Sequence, residues 1–270
     1  CFQAAGGYED QRWWDTEAAR AWRRGENTAA GIHAGVRHFV DLCRKRPEMM
    51  DELLAAGSWD EEIYERGQQR VAMSAEELDA HLVELYPGGR HTEPAFWRDA
   101  RFNRPAQPVV GICWYEARAY LRWLSAQSRM AFRLPTEVDW EAAARGSAGR
   151  RYPFGDAFDR LRGNTAETHI RQTTPVGVFP GGDTPEGICD LMGNVVEWTS
   201  SAYGQDLDAT EFPYPYVADD GREVAEVSAD TQRVSRGGSW CRESEGALAP
   251  NRDGVPPDLC FVDSGVRVVV

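Results

Sequence analysis

The stretch from Asp190 to Val270 constrains this chain most. It opens as Asp190-Leu-Met-Gly193-Asn194-Val195-Val-Glu197-Trp198, resumes at Arg236-Gly-Gly-Ser-Trp240 and closes on Gly265-Val-Arg267-Val-Val-Val270. Between Trp240 and Gly265 the residues follow neither the alternation of a strand nor the 3.6-residue period of a helix. A segment without period, held between two rigidly punctuated blocks, reads as a surface loop carried by a scaffold, which is where recognition and catalysis concentrate.

Further blocks precede it: Trp114-Tyr-Glu-Ala117, Arg133-Leu-Pro-Thr-Glu137 with Trp140-Glu-Ala-Ala-Ala-Arg-Gly146, and Tyr152-Pro-Phe-Gly-Asp156. In this order, over roughly Phe96 to Val270, they resemble the signature of the formylglycine-generating enzyme (sulfatase-modifying factor) family. The resemblance implies a C-type lectin-like fold in that family's variant. It also implies a choice of function, because the family holds oxidases, sulfoxide synthases and ligand-binding proteins, so function has to be argued from the site. The residues point to α+β independently. A helix is expected over Tyr115–Ser125 and another begins at Thr136, a good N-cap with Glu137 and Asp139 in the first turn, among many short extended pieces.

Residues 1–26 read as the N-terminal part of the lectin-like domain, its start missing, with Trp13, Trp14 and Trp22 as packing residues. Residues 27–92 read as a helical insertion. Val36, Phe39, Val40 and Cys43 keep a helical period, Met50, Leu53 and Leu54 continue it, and Ser74-Ala-Glu-Glu77 is a capping box ahead of Leu78, Leu82 and Leu85. Residues 93–270 form the lectin-like body, with 241–263 as its ligand-binding segment. The chain opens on Cys1 rather than Met, and a longer multidomain protein is expected.

A net charge of −13 argues against nucleic acid or an anionic membrane surface as partner. No run of eighteen apolar residues offers a membrane span. The six cysteines form no C-x-x-C pair, which disfavours a disulfide framework and points to a reducing, cytoplasmic setting. His33 and His38 lie five apart and do not stack as a ligand pair on one helix face. The sulfoxide-synthase branch relies on a histidine-iron site, and no matching cluster occurs here.

Two metal expectations follow from the resemblance. It implies a structural calcium held by the side chains of Asp190 and Glu197 and the carbonyls of Gly193 and Val195, hard oxygen donors that suit this ion. In the oxidase branch copper is bound by two thiolates just beyond the Gly-Gly-Ser block, because Cu(I) prefers sulfur. Those positions fall on Arg242 and Ala247, Cys241 is one residue off, and no copper is expected. A copper oxidoreductase acting on a protein cysteine is therefore the alternative, and a non-catalytic ligand-binding module the preferred reading.

Many non-catalytic relatives carry a run rich in Asn in this segment, whereas here Cys241, Arg242, Gly246, Val255, Leu259, Phe261, Val262 and Asp263 fill an otherwise intact frame. With Glu243, Asn251 and Asp253 they are the expected contacts for a protein ligand. The pattern resembles the variable proteins of diversity-generating retroelements, in which mutagenesis of Asn codons rewrites a lectin-fold surface. Each of those eight residues is reachable from an Asn codon through its first two bases, a condition that most amino acids meet. The scaffold reading predicts Trp240 and Val268 buried and Arg242, Val255, Leu259 and Phe261 exposed, because a diversified position must tolerate any side chain.

Overall fold

The computed structural model describes residues 1–55, 59–206 and 208–270. Among these residues seven α-helices precede the sheet: α1 (Glu17–Arg24), α2 (Ala30–Lys45), α3 (Glu48–Ala55), α4 (Glu61–Ala72), α5 (Ala75–Leu85), α6 (Trp114–Ser128) and α7 (Glu137–Arg145). None is long and apolar enough to cross a membrane. Four strands follow, β1 (Val196–Gly204), β2 (Gln232–Arg236), β3 (Asp253–Val255) and β4 (Ser264–Gly265), in the spatial order β3-β2-β1-β4. The chain is α+β.

The sheet gathers the sequence blocks. Antiparallel pairing of β1 with β2 sets Glu197 opposite Arg236, and parallel pairing with β4 sets Glu197 opposite Gly265. On the far side, β3 pairs with β2, placing Val255 opposite Arg233 and Asp253 opposite Ser235. The segment between Trp240 and Gly265 therefore leaves the sheet at β2, returns through β3 and re-enters at β4.

The core packs four buried tryptophans, Trp14, Trp22, Trp114 and Trp198, with Ile112, Leu121 and Leu134. Burying an indole N–H without an acceptor is costly. Trp114 Nε1 donates to the Thr199 carbonyl at 2.8 Å and Trp198 Nε1 to the Ile112 carbonyl at 2.9 Å, which cross-links α6 to β1. The helical segment has its own small core of Val40, Leu78 and Leu82. The Ser74–Glu77 capping box forms as expected, and Thr136 caps α7 by accepting from the Asp139 amide.

At the start of α2, Ala29 has no side chain able to cap. A carboxylate from far along the chain takes that role, since Asp258 Oδ2 accepts from the Gly31 amide at 2.8 Å. The approach is so close that a Cβ on Gly31 would lie 2.4 Å from Asp258 and 2.5 Å from Pro256. The C-terminal segment is thus pinned to the helical segment as well as to the sheet.

Candidate functional site

The loop after Trp240 is built on an arginine. Arg236, fully buried at the end of β2, donates to Glu141 of α7 at 2.6 Å and to the carbonyls of Pro250 and Asn251 at 3.1 and 2.8 Å. Its guanidinium therefore fixes the loop's return limb. Gly237 and Gly238 follow with φ of +95° and +67°. A Cβ on Gly238 would come within 2.8 Å of the Ala247 backbone, so this close crossing requires glycine. Ser239 then donates from Oγ to Asp263 Oδ2 at 2.7 Å, closing the loop's two ends on each other.

Arg252 makes a second anchor. It reaches Glu137 at 2.6 and 2.9 Å, and the same buried carboxylate accepts from Arg222 at 2.8 Å. Arg222 is itself fully buried and is held by Asp220. The stretch around residue 222 is locked to the body by this ion cluster.

On this frame the expected contact residues divide. Cys241, Glu243 and Phe261 are exposed, while Arg242, Gly246, Asn251, Asp253 and Val262 are half-buried. Arg242 Nη1 lies 3.2 Å from Asp253 Oδ2, and its Nε lies 3.8 Å from Asp263 Oδ2. Asn251 Nδ2 donates to the Gly246 carbonyl at 3.2 Å. Val262 packs against the buried cluster of Phe102, Val110 and Val195.

Three positions correct the sequence reading. Val255 and Leu259 are 7% and 8% exposed and belong to the tryptophan-rich core, and Asp263 is buried beneath Ser239 and Arg242. Tolerance to any side chain is not available at a packed position, so Val255 and Leu259 are scaffold. Trp240 is only half-buried and Val268 is exposed, also against expectation. Val268 lies beside the bridge that pairs Arg133 with Val269 and faces out.

Glu167 was missed. Its Oε1 accepts from the Ser244 amide at 2.8 Å, and the adjacent Ala166 amide donates to the Arg242 carbonyl at 2.9 Å. A short polar turn with no period carries it, so the sequence offered no signal beyond its acidity.

The geometry does not favour the calcium set. Both oxygens of Glu197 are taken: Oε1 accepts from Arg267 Nη2 at 2.8 Å, and Oε2 accepts from Arg267 Nε at 3.0 Å and Trp140 Nε1 at 2.6 Å. Asp190 Oδ2 accepts from the Gly177 amide at 2.7 Å, and the Gly193 carbonyl from the Val195 amide at 3.0 Å. A carboxylate already neutralised by an arginine does not fit a calcium ligand, which corrects the expectation at Glu197. The two-thiolate copper arrangement does not fit either. Cys241 Sγ meets Ser239 Oγ and Asp263 Oδ2, each at 3.3 Å, and the second expected position is Ala247, fully buried against Gly238. The sulfur's partial burial and the Asp263 charge beside it push the thiol up to about 11, the opposite of an activated thiolate.

Residues 48–270 match the family model described as sulfatase-modifying factor enzyme 1-like domain. An inactive C-alpha-formylglycine-generating enzyme 2 of Bos taurus is 32% identical over 197 residues, covering 65% of this chain and 56% of the relative. A formylglycine-generating enzyme of Thermomonospora curvata is 37% identical over 195 residues, covering 64% of this chain and 60% of the relative. The chain thus spans less than two thirds of either relative. Among solved structures, Treponema denticola variable protein 1 superposes with a TM-score of 0.50 at 22% identity, covering 65% of this chain and 74% of that one, a likeness of fold.

Proposed function

The chain belongs to the sulfatase-modifying factor family and has its C-type lectin-like fold, and we propose that it is a non-catalytic member that binds a protein ligand through the loop after Trp240. The family contains both enzymes and inactive members, so membership alone leaves the choice open. What carries the reading is the replacement of the thiol pair. Arg242 and Ala247 stand where an oxidase of this family would present its sulfurs, one paired to Asp253 and the other buried and inert.

The surface left after Val255, Leu259 and Asp263 are assigned to the scaffold is smaller and more polar than the sequence suggested. Arg242 gives a forked donor held over two carboxylates, Phe261 gives an aromatic face 37% exposed, and Cys241 and Glu243 flank Arg242 in the chain. Arginine and aromatic anchors amid polar neighbours are the composition of a protein-recognition patch. Because the scaffold beneath is tied by Arg236, Arg252 and Ser239, exposed side chains can vary without disturbing it. Such a division suits diversification by a retroelement, which the flanking DNA would reveal as a reverse transcriptase and a near-copy of the codons for 241–263.

The immobilised chain, challenged with proteins from its source cells, tests the reading against an Arg242→Ala/Phe261→Ala double variant of unchanged circular dichroism. A partner retained by the wild type and lost by the variant supports it. Equal retention by both, or oxygen uptake with Cu(I) and a cysteine-containing peptide, contradicts it.

A further inference from the structure

A second cluster lies away from that loop, at the start of α6. Cys113 occupies the position before the helix, and Glu116 folds back so that Oε2 accepts from the Cys113 amide at 2.8 Å. Tyr8 donates its hydroxyl to Oε1 at 2.5 Å. Cys260 arrives from the C-terminal segment with Sγ 3.6 Å from Glu116 Oε2. The two sulfurs and a Glu116 oxygen all lie within 4.8 Å of one another.

Main-chain bonds on both sides hold this meeting. The Trp114 amide donates to the Pro257 carbonyl at 3.0 Å and the Gly111 amide to the Phe261 carbonyl at 3.1 Å, so the backbone flanking Cys260 is tied to the backbone flanking Cys113. Cys113 is fully buried and Glu116 is 3% exposed. Among the described residues no lysine, arginine or histidine forms a salt bridge with Glu116, in contrast to the buried Glu137 and Glu197. A buried carboxylate without a cation is unfavourable, so this one lacks the compensation that Glu137 and Glu197 have.

Two sulfur ligands and one carboxylate converging in a buried site form the donor set of a tetrahedral, thiophilic d10 cation. We infer that Cys113, Cys260 and Glu116 bind a divalent cation of the zinc class. Tetrahedral bonds of zinc's usual length set ligand atoms roughly 3.5 Å apart, a contraction that side-chain rotation can supply. A cavity of about 390 Å³, lined by Tyr8, Ile112, Glu116, Tyr120 and Val266, reaches the carboxylate. On binding, the cation replaces the two thiol protons, which pass to solvent, and the carboxylate completes the anionic set. The ion would clamp the base of the C-terminal segment one residue before Phe261. The inference rests on these three residues and is independent of the recognition surface.

The test is titration of the reduced, chelator-treated chain with Co²⁺ under anaerobic conditions. The expected result is a saturable thiolate-to-cobalt charge-transfer band at one cobalt per chain, displaced by Zn²⁺. It is lost in Cys260→Ser, weakened in Glu116→Gln and unchanged in Cys241→Ser. Should Cys260→Ser fail to fold, the wild type still decides the matter, because bound Zn²⁺ must slow alkylation of Cys260 and leave Cys241 unaffected. No saturable band, the same band in a folded Cys260→Ser, equal alkylation of Cys260 with and without Zn²⁺, or a Cys113–Cys260 disulfide in chain purified under reducing conditions overturns the inference.

Discussion

Arg267 holds the Glu197 carboxylate with two parallel hydrogen bonds, 2.8 and 3.0 Å long, from Nη2 and Nε. The pair joins the Asp190–Trp198 block to the terminal Gly265-Val-Arg267 block. The same Arg267 Nη2 also donates to the Cys189 carbonyl at 2.9 Å. An arginine fork on a nearly buried carboxylate is structural charge pairing, and removing one partner leaves the other uncompensated. Arg267→Ala should therefore cost about 3 kcal/mol of unfolding free energy, read by urea denaturation. Since Glu197 is not free for calcium, adding Ca²⁺ to the chelator-treated chain should leave its melting temperature unchanged. A clear rise on adding Ca²⁺ would show the ion bound only to the folded state and restore the calcium expectation.

Val255 and Leu259 give a second test, because the sequence reading and the structure disagree on them. Leu259→Ala should destabilise the chain by about 2 to 4 kcal/mol through the cavity it leaves among the core tryptophans. If instead its denaturation midpoint matches the wild type, Leu259 is surface after all and the larger contact set returns.

Why these two residues misled is instructive. The segment has no period because it is not a regular element, and absence of period does not imply exposure. Its burial comes from partners remote in sequence: β2 beside Val255, and α2, whose first turn takes Asp258 as its cap. Elements whose signals are local were legible. Ser74 and Thr136 cap the helices they were expected to cap, and the Gly-Gly pair marks a real backbone crossing beside Ala247. The meeting of Cys113 with Cys260 had no such signal. Cys113 is buried among apolar residues, but nothing in either local sequence names the other cysteine.

At the recognition surface, Arg242→Ala and Phe261→Ala should each weaken binding of a partner protein by roughly 1 to 4 kcal/mol, measured by calorimetry. Stability should change by less than about 0.5 kcal/mol for Phe261, and by no more than about 1 kcal/mol for Arg242, whose ion pair with Asp253 is partly solvated. Unfolding of either variant with unaltered binding per folded molecule would make the loop structural.

Cys241 supplies a pH dependence. Alkylation follows the thiolate, and a thiol raised to about 11 is less ionised than a free cysteine at every pH below that value. Its iodoacetamide reaction should thus be slower than that of a cysteine peptide at pH 8 and should rise only in strongly alkaline solution. Asp263→Asn removes a neighbouring negative charge and should shift the inflection downward. Reaction as fast as the peptide's at pH 8 would mean the sulfur is not turned in against Asp263.

The most direct test of a variable surface on a fixed scaffold is a displayed library scored by protease resistance. Cys241, Arg242, Glu243 and Phe261 are randomised in one pool, and Glu197, Arg236, Val255 and Leu259 in another. The account predicts that most members of the first pool stay as resistant as the wild type, while nearly all of the second are cleaved. Equal loss of resistance in the two pools would contradict it, because a surface that cannot change without unfolding the protein is not free to specialise in recognition.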